Sequence, residues 1–330
     1  GRGDPDFDTP PHIVAAAREA LESHADDYAP PEGMLALREA IAERMKRING
    51  IDLDPQNEVV VTNGGQEALF LMVLSVIGEG DSLIVPEPTY NTYNDALAFA
   101  RGDKIAVPTY PEEDFRVDPK RVRAVTTERA RALLLVSPNN PTGTVVGPDD
   151  EREFVKLAIE QDLLILADEI YDLFVYDGYV HTSPAALPGG KERTLTLNAF
   201  SKAFSMCGWR LGWLAGPADL MSQVREIKAS MTGPTSIVAQ HAGLAALAGP
   251  QEPVEEMRST YIRRRRIVLD ALDSMGVPYG MPQGGQFVFA DIGVTGMDCV
   301  DLAKRILREQ HVLLYPGSAF SPQANADRYL

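Results

Sequence analysis

The segment Ser201-Lys202-Ala203-Phe204-Ser205-Met206-Cys207-Gly208-Trp209-Arg210-Leu211-Gly212 sets a lysine just after a strand-like run, Thr194 to Asn198. An arginine follows eight residues later among small neighbours. An amine surrounded by apolar and small side chains loses its proton more readily, and the free amine attacks a carbonyl to form a Schiff base. A guanidinium beside it offers a fixed fork of donors that matches a phosphate. Together the two groups suit an aldehyde that also carries a phosphate, which describes pyridoxal phosphate. The same segment also reads as a surface lysine and a helix-capping arginine, so the rest of the chain has to choose.

Four further signals sit directly after strand-like runs. Asn63-Gly64-Gly65-Gln66-Glu67-Ala68-Leu69 leads from a strand through two glycines into a helix. Free N–H groups at such a helix start can hold a phosphate, although the turn also serves as a plain connection. In Pro88-Thr89-Tyr90-Asn91-Thr92-Tyr93, Tyr90 can stack on a flat heteroaromatic ring or simply pack in its loop. Ser137-Pro138-Asn139-Asn140-Pro141-Thr142-Gly143 is a proline-pinned turn that presents Asn140, whose amide can donate to a phenolic oxygen. Leu163 to Ala167 runs into Asp168-Glu169-Ile170-Tyr171. An aspartate at a buried strand end can pair with a protonated ring nitrogen and keep the ring electron-withdrawing. Tyr171 can reach the phenolic oxygen. An acidic strand end also occurs in P-loop proteins, but no G-x-x-x-x-G-K-[ST] segment is present. Neither G-x-S-x-G nor G-x-G-x-x-G occurs, and His12, His24, His181, His241 and His311 lack metal-ligand spacing.

The elements that must carry these residues alternate. Strand-like runs at Val59-Thr62, Ser82-Val85, Ile105-Val107, Ala132-Val136, Leu163-Ala167, Thr194-Asn198 and Leu211-Ala215 are mostly continuous in apolar residues, as strands buried on both faces are. Helical patterns at Gln66-Ile77, Asp149-Gln161 and Ala218-Ser230 lie between them. The alternation predicts an α/β fold: a three-layer, mostly parallel seven-stranded sheet with helices on both faces. Ligands of such sheets gather beyond the carboxyl ends of the strands. After Pro253 the rhythm changes to a long helix, a strand Gln286-Ile292, a helix Cys299-Glu309 and a strand His311-Leu314. The expected division is a large domain over residues 30–250 and a smaller α+β domain from residues 1–29 and 251–330, incomplete at both ends.

The bulk properties exclude several classes. With 330 residues and 45% apolar content the chain can bury a sizeable core. A formal net charge of -16 argues against a nucleic-acid partner. The basic run Arg263 to Arg266 is expected to be a solvated helix face. Two cysteines, Cys207 and Cys299, are too few for a disulfide framework and point to the reducing cytoplasm. The longest apolar stretch, Leu69 to Ile77, is too short to span a membrane, and no signal peptide is visible. Both ends read as trimmed, Gly1 to Asp8 beginning mid-pattern and Leu330 ending it.

The ordered set of motifs resembles the fold-type I pyridoxal-phosphate enzymes, specifically the class I/II aminotransferases. It runs from Gly3-Asp4-Pro5-Asp6-Phe7-Asp8-Thr9-Pro10 and Tyr28-Ala29-Pro30-Pro31-Glu32-Gly33 with Leu37-Arg38, through the motifs above, to Pro316-Gly317-Ser318-Ala319-Phe320. The resemblance implies transfer of an amino group between an α-amino acid and a 2-oxo acid by a ping-pong route. Lys202 would hold the cofactor as a Schiff base and then shuttle the proton. Asp168 would pair with the pyridinium, Asn140 and Tyr171 would hold the phenolic oxygen, and Tyr90 would stack on the ring. Gly64, Gly65, Gln66, Ser201 and Arg210 would hold the phosphate. Gly3 and Asn140 would meet the substrate. Tyr28 resembles the tyrosine that reaches the neighbouring subunit's phosphate, which implies a homodimer with shared sites. Ala199 departs from the family's usual Gly or Ser, and the family's substrate-carboxylate arginine falls one residue beyond Leu330, so Arg328 is not given that role. Elimination, replacement or cyclisation of an amino acid such as S-adenosylmethionine uses the same cofactor scaffold, and an effector domain of a transcription regulator uses the same fold.

Overall fold

The structure is a computed structural model that describes residues 3–23, 25, 27–321 and 326–330; His24 lies outside them. Seven strands form one sheet: β1 (Val59–Thr62), β2 (Ser82–Glu87), β3 (Asp103–Pro108), β4 (Ala130–Val136), β5 (Leu164–Asp168), β6 (Thr194–Ala199) and β7 (Gly212–Ala215). Their order across the sheet is β1-β7-β6-β5-β4-β2-β3. Only β7 opposes the others, pairing antiparallel with both β1 and β6. The mostly parallel arrangement follows from the connections, which are long enough to carry helices. These are α1 (Pro11–Glu22), α2 (Leu35–Asn49), α3 (Gly65–Leu74), α4 (Thr92–Ala100), α5 (Pro119–Val125), α6 (Pro148–Glu160), α7 (Phe200–Ala203), α8 (Ala218–Met231), α9 (Ile237–Ala248), α10 (Glu252–Met275) and α11 (Cys299–Gln310).

Side-chain alternation along each strand divides the core into two layers. Val60, Leu134, Leu166 and Leu214 face α3, α4 and α8, meeting Leu71, Tyr93 and Met221. Leu133, Leu135 and Ile165 face the other way onto Phe154 and Leu157 of α6. Toward the β1 edge that second face is covered by α1, α2 and α9, with Trp213 packed in the same cluster as Ile41 and Ala242. Both faces are therefore dry, which explains why the strands read as continuous apolar runs. Each fully buried leucine contributes about 1.5–3 kcal/mol relative to an exposed one.

Two expectations for the end of the chain do not hold. Gln286-Ile292 and His311-Leu314 form no strand. Only isolated bridges occur there, Tyr279 with Ala290 and Asp291 with Tyr329. Aromatic packing takes over: the rings of Phe289 and Tyr329 stack at 4.7 Å, with Phe115 edge-on to both. The run Arg263 to Arg266 is also more than a solvated face. Arg264 binds both oxygens of Asp6, at 2.6 and 2.9 Å, and lies over the ring of Phe7. Arg265 pairs with Asp177 and covers the Tyr176 ring. These arginines clamp the segment at Asp6 and Phe7 and the loop after β5 onto α10.

Candidate active site

The strand directions assemble the site. Because β7 runs against its neighbours, the carboxyl ends of β1, β2, β4, β5 and β6 share an edge with the amino end of β7. Five motifs that follow strands and one arginine that precedes a strand thus converge. A cavity of about 420 Å³ opens there, lined by Lys202, Ser201, Asp168, Tyr171, Asn140 and Tyr90, and further by Gly3, Gly65, Gln66 and Arg210. Tyr28 lies outside the cavity, 92% exposed on the surface of this chain.

Asp168 ends β5 and is buried. One carboxylate oxygen accepts from the Tyr93 hydroxyl at 2.8 Å and the other from the Ile170 N–H at 3.2 Å. Burial raises its pKa to about 6, against the pull of these two hydrogen bonds, with the Glu169 charge adding to the rise. A cation beside it would relieve that desolvation, so the site favours a positively charged partner. The strand end is fixed from behind. Glu169 donates its N–H to Leu197 O at 3.0 Å and accepts Asn198 Nδ2 on its carbonyl at 2.9 Å. Its side chain enters a buried network in which Arg44 grips both oxygens of Asp172, Asn49 bridges Glu169 and Asp172, and His181 Nε2 lies 3.1 Å from Glu169. The Glu169 charge raises the pKa of His181 despite an opposing effect of burial.

Lys202 sits in α7, one short turn after β6. Its Nζ donates to the Gly3 carbonyl at 2.7 Å, and Gln286 Nε2 donates to the same oxygen at 2.6 Å. Gly3 reaches this place because the segment after it is stitched to the lysine loop. Thr9 Oγ1 donates to Ser205 O at 2.7 Å, Trp209 Nε1 donates to Thr9 at 3.1 Å, and Ser205 donates to Phe7 O.

The opposite wall is the glycine turn. Gly64 takes φ +82°, ψ 174°, a conformation that only glycine adopts without strain. A Cβ there would lie 2.5 Å from Arg210 Nη2. Arg210 itself has φ +54° and donates to Cys207 O at 3.0 Å and Asn63 O at 3.4 Å, which lays its guanidinium against the turn. The first N–H groups of α3, on Gly65 and Gln66, have no carbonyl one turn earlier in the helix to accept them. Guanidinium, free N–H groups and the positive end of a helix thus surround one place, the donor set an anion needs. Among the described residues, the Asn140 amide and the Tyr171 hydroxyl have no hydrogen-bond partner, and both border the cavity. Burial holds the Tyr171 phenol well above its ordinary pKa, so it donates. Its ring meets Phe287 edge-on at 5.3 Å.

Sequence reasoning missed Tyr93 and Gln286 as partners of Asp168 and Gly3. Tyr93 is the second residue of α4, just after the loop that carries Tyr90, and this pair of tyrosines was the available signal. Arg328, three residues before the expected place of a carboxylate-binding arginine, is engaged with Asp291 at 2.7 Å. Among the described residues, no helix is long and apolar enough to cross a membrane.

Comparison with known proteins gives the family. The family model described as aminotransferase class I and II matches residues 1–325. Aromatic-amino-acid aminotransferase 2 of Thermococcus litoralis is 40% identical over 323 residues, 97% of this chain and 83% of that protein. An arginine–pyruvate transaminase of Pseudomonas aeruginosa is 40% identical over 323 residues, 98% of this chain and 82% of that protein. The crystal structure of an aromatic aminotransferase from Pyrococcus horikoshii superposes with a TM-score of 0.95 at 38% identity, covering 100% of this chain and 88% of that one. A fold with an amine, an anion cradle and a buried carboxylate on one cavity, matched along its whole length by these relatives, has one family: the chain belongs to the class I and II aminotransferases and is an aminotransferase.

Proposed function

We propose that this aminotransferase works with pyridoxal phosphate held on Lys202 and passes an amino group from an α-amino acid to a 2-oxo acid by a ping-pong route. The observation that carries the reading is the meeting of Lys202, Asp168 and Arg210 on one cavity. The residues fit the group. Gly64 holds a positive φ that disfavours a Cβ and lies against the Arg210 guanidinium, the buried carboxylate of Asp168 favours a cation, and two unpartnered polar groups, on Asn140 and Tyr171, border the cavity. Bound there, pyridoxal phosphate supplies an aldehyde for the amino group and a ring that withdraws electrons from the α-carbon.

Each residue then has a task. Arg210, the N–H groups of Gly65 and Gln66, and Ser201 bind the phosphate. Asp168, ionised and oriented by Tyr93, keeps a proton on the ring nitrogen. Asn140 and Tyr171 donate to the phenolic oxygen, and Tyr90 packs on the ring face. Lys202 Nζ tethers the group, and once free takes the proton from the substrate α-carbon. Gly3 and Asn140 border the substrate. Relatives of near-equal identity are named for aromatic amino acids, aspartate and arginine, and amino transfer is what those names have in common.

The exposed Tyr28 ring supports a homodimer in which the partner's Tyr28 completes the phosphate site. We read residues 30–250 as the cofactor-binding domain and residues 1–29 with 251–330 as the smaller one. The two free thiols, Cys207 and Cys299, suit the cytoplasm.

The test is spectroscopic. Purified protein mixed with pyridoxal phosphate should develop a visible absorption band that Lys202→Ala abolishes, and amino donors with 2-oxoglutarate should yield glutamate. A band that survives in Lys202→Ala overturns the assignment of the lysine. Release of a side-chain fragment without amino transfer from any donor overturns the reaction.

A further inference from the structure

Beneath the glycine turn lies an ion pair that the amino-transfer chemistry does not use. Glu67 is the third residue of α3, its side chain 6% exposed. Its carboxylate accepts from the Asn63 N–H and, at 3.1 Å, from Asn63 Nδ2, so it grips the residue just before Gly64. Thr232 donates to the same carboxylate. The charge is balanced by Lys228 of α8, whose Nζ lies 3.1 Å from Glu67 Oε2 and donates to Gly233 O at 2.8 Å. Lys228 is fully buried. Asn63 is thus held on both sides, its N–H by Glu67 and its carbonyl by Arg210.

We propose that Glu67 and Lys228 are positioning residues of the phosphate turn, an inference that rests on the cofactor reading above. Two physical arguments meet here. A buried ammonium with a single carboxylate partner obliges that carboxylate to stay in place, because separating the pair leaves an uncompensated buried charge. The carboxylate in turn fixes Asn63, and through it the direction of the Gly65 and Gln66 N–H groups. The second argument is electrostatic. A lone Glu67 charge in the first turn of α3 would oppose an anion at the helix start, whereas the neutral pair leaves the helix end positive. The pair therefore tunes the turn toward phosphate while touching neither phosphate nor substrate.

The phosphate is the part of the cofactor that this pair serves, so pyridoxal phosphate and pyridoxal separate a positioning role from a general one. The apoprotein is titrated with each by absorbance, and its urea midpoint is measured alongside. The double variant E67L/K228M replaces the pair with apolar groups of similar size, a change that is often neutral or stabilising for folding. The expected result is a pyridoxal phosphate affinity about tenfold weaker or more, from the loss of one or two oriented hydrogen bonds. Pyridoxal affinity should hold within about twofold by the same measure, since no phosphate is involved. Lys228→Gln, which keeps a donor beside Glu67 but leaves its charge uncompensated in the first turn of α3, should move the ratio in the same direction, and decides the matter if the double variant does not fold. An unchanged ratio in the variants overturns the positioning role, as does an equal loss for both ligands with a falling midpoint. A wild type that forms no Lys202-dependent band with either ligand overturns the cofactor reading and this proposal with it.

Discussion

Replacing Asp168 by asparagine should change how the apoprotein's stability depends on pH. The carboxyl titrates at about 6 in the folded chain against an ordinary 3.8, chiefly because it is buried. A folded chain that binds the proton more tightly than the unfolded chain loses stability as pH rises from about 4 to about 6. A pKa difference of about 2.2, at 1.36 kcal/mol for each, makes the full loss about 3 kcal/mol. Roughly half of it, about 1.4 kcal/mol, falls between pH 5 and pH 8. That range also stays above the sequence pI of 4.8, where the chain keeps a net negative charge. The amide introduced by Asp168→Asn cannot ionise, yet its oxygen can still accept the Tyr93 hydroxyl. Urea unfolding of both apoproteins at intervals over this range gives the answer as a difference. Titrations common to both, including those of Glu151 and His181, cancel. The wild type should lose about 1.4 kcal/mol relative to Asp168→Asn on going from pH 5 to pH 8. Parallel curves would refute a buried, proton-retaining Asp168. They would also remove the reason for expecting a cation beside it.

Two further changes probe the same walls. Tyr93→Phe keeps the ring but deletes the donor that lowers the Asp168 pKa, so the acidic limb of the kcat/KM profile should move upward by about 0.5–1 pH unit, given about 1 kcal/mol for one hydrogen bond; an unmoved limb would show that this hydroxyl does not tune the carboxylate. Gly64→Ala forces a side chain into a glycine-only conformation and against Arg210, which should cost about 1–3 kcal/mol in urea unfolding and weaken pyridoxal phosphate more than pyridoxal. Retained stability and affinity would mean that the turn tolerates a Cβ.

Much of this was legible from residues in a row. Strand runs such as Leu133-Leu134-Leu135 announce burial on both faces by lacking alternation, and the structure buries all three. Gly64 and Gly65 after β1, and Asp168 at the end of β5, are local signals, because a strand ending in a special residue already places that residue on the sheet edge. The end of the chain was less legible. Gln286-Ile292 has strand-like composition, but pairing needs a neighbour, and composition does not reveal one. Phe289 instead satisfies its apolar surface by stacking on Tyr329, forty residues away. The arginines of α10 misled for a similar reason, since Asp6 and Asp177 come to them only through the fold.

The sequence by itself determined the class of sheet, the order of the motifs and the residue types of the site, because each depends on periodicity or on a short segment. Tertiary structure alone decided what those residues meet. The reversed direction of β7 brings Arg210 to the edge where Lys202 and Asp168 lie, Tyr93 reaches the Asp168 carboxylate from α4, and Lys228 neutralises Glu67 across 161 residues of chain. Burial explains the division: a carboxylate's charge state and a turn's rigidity depend on everything packed around them, and those neighbours come from distant parts of the chain.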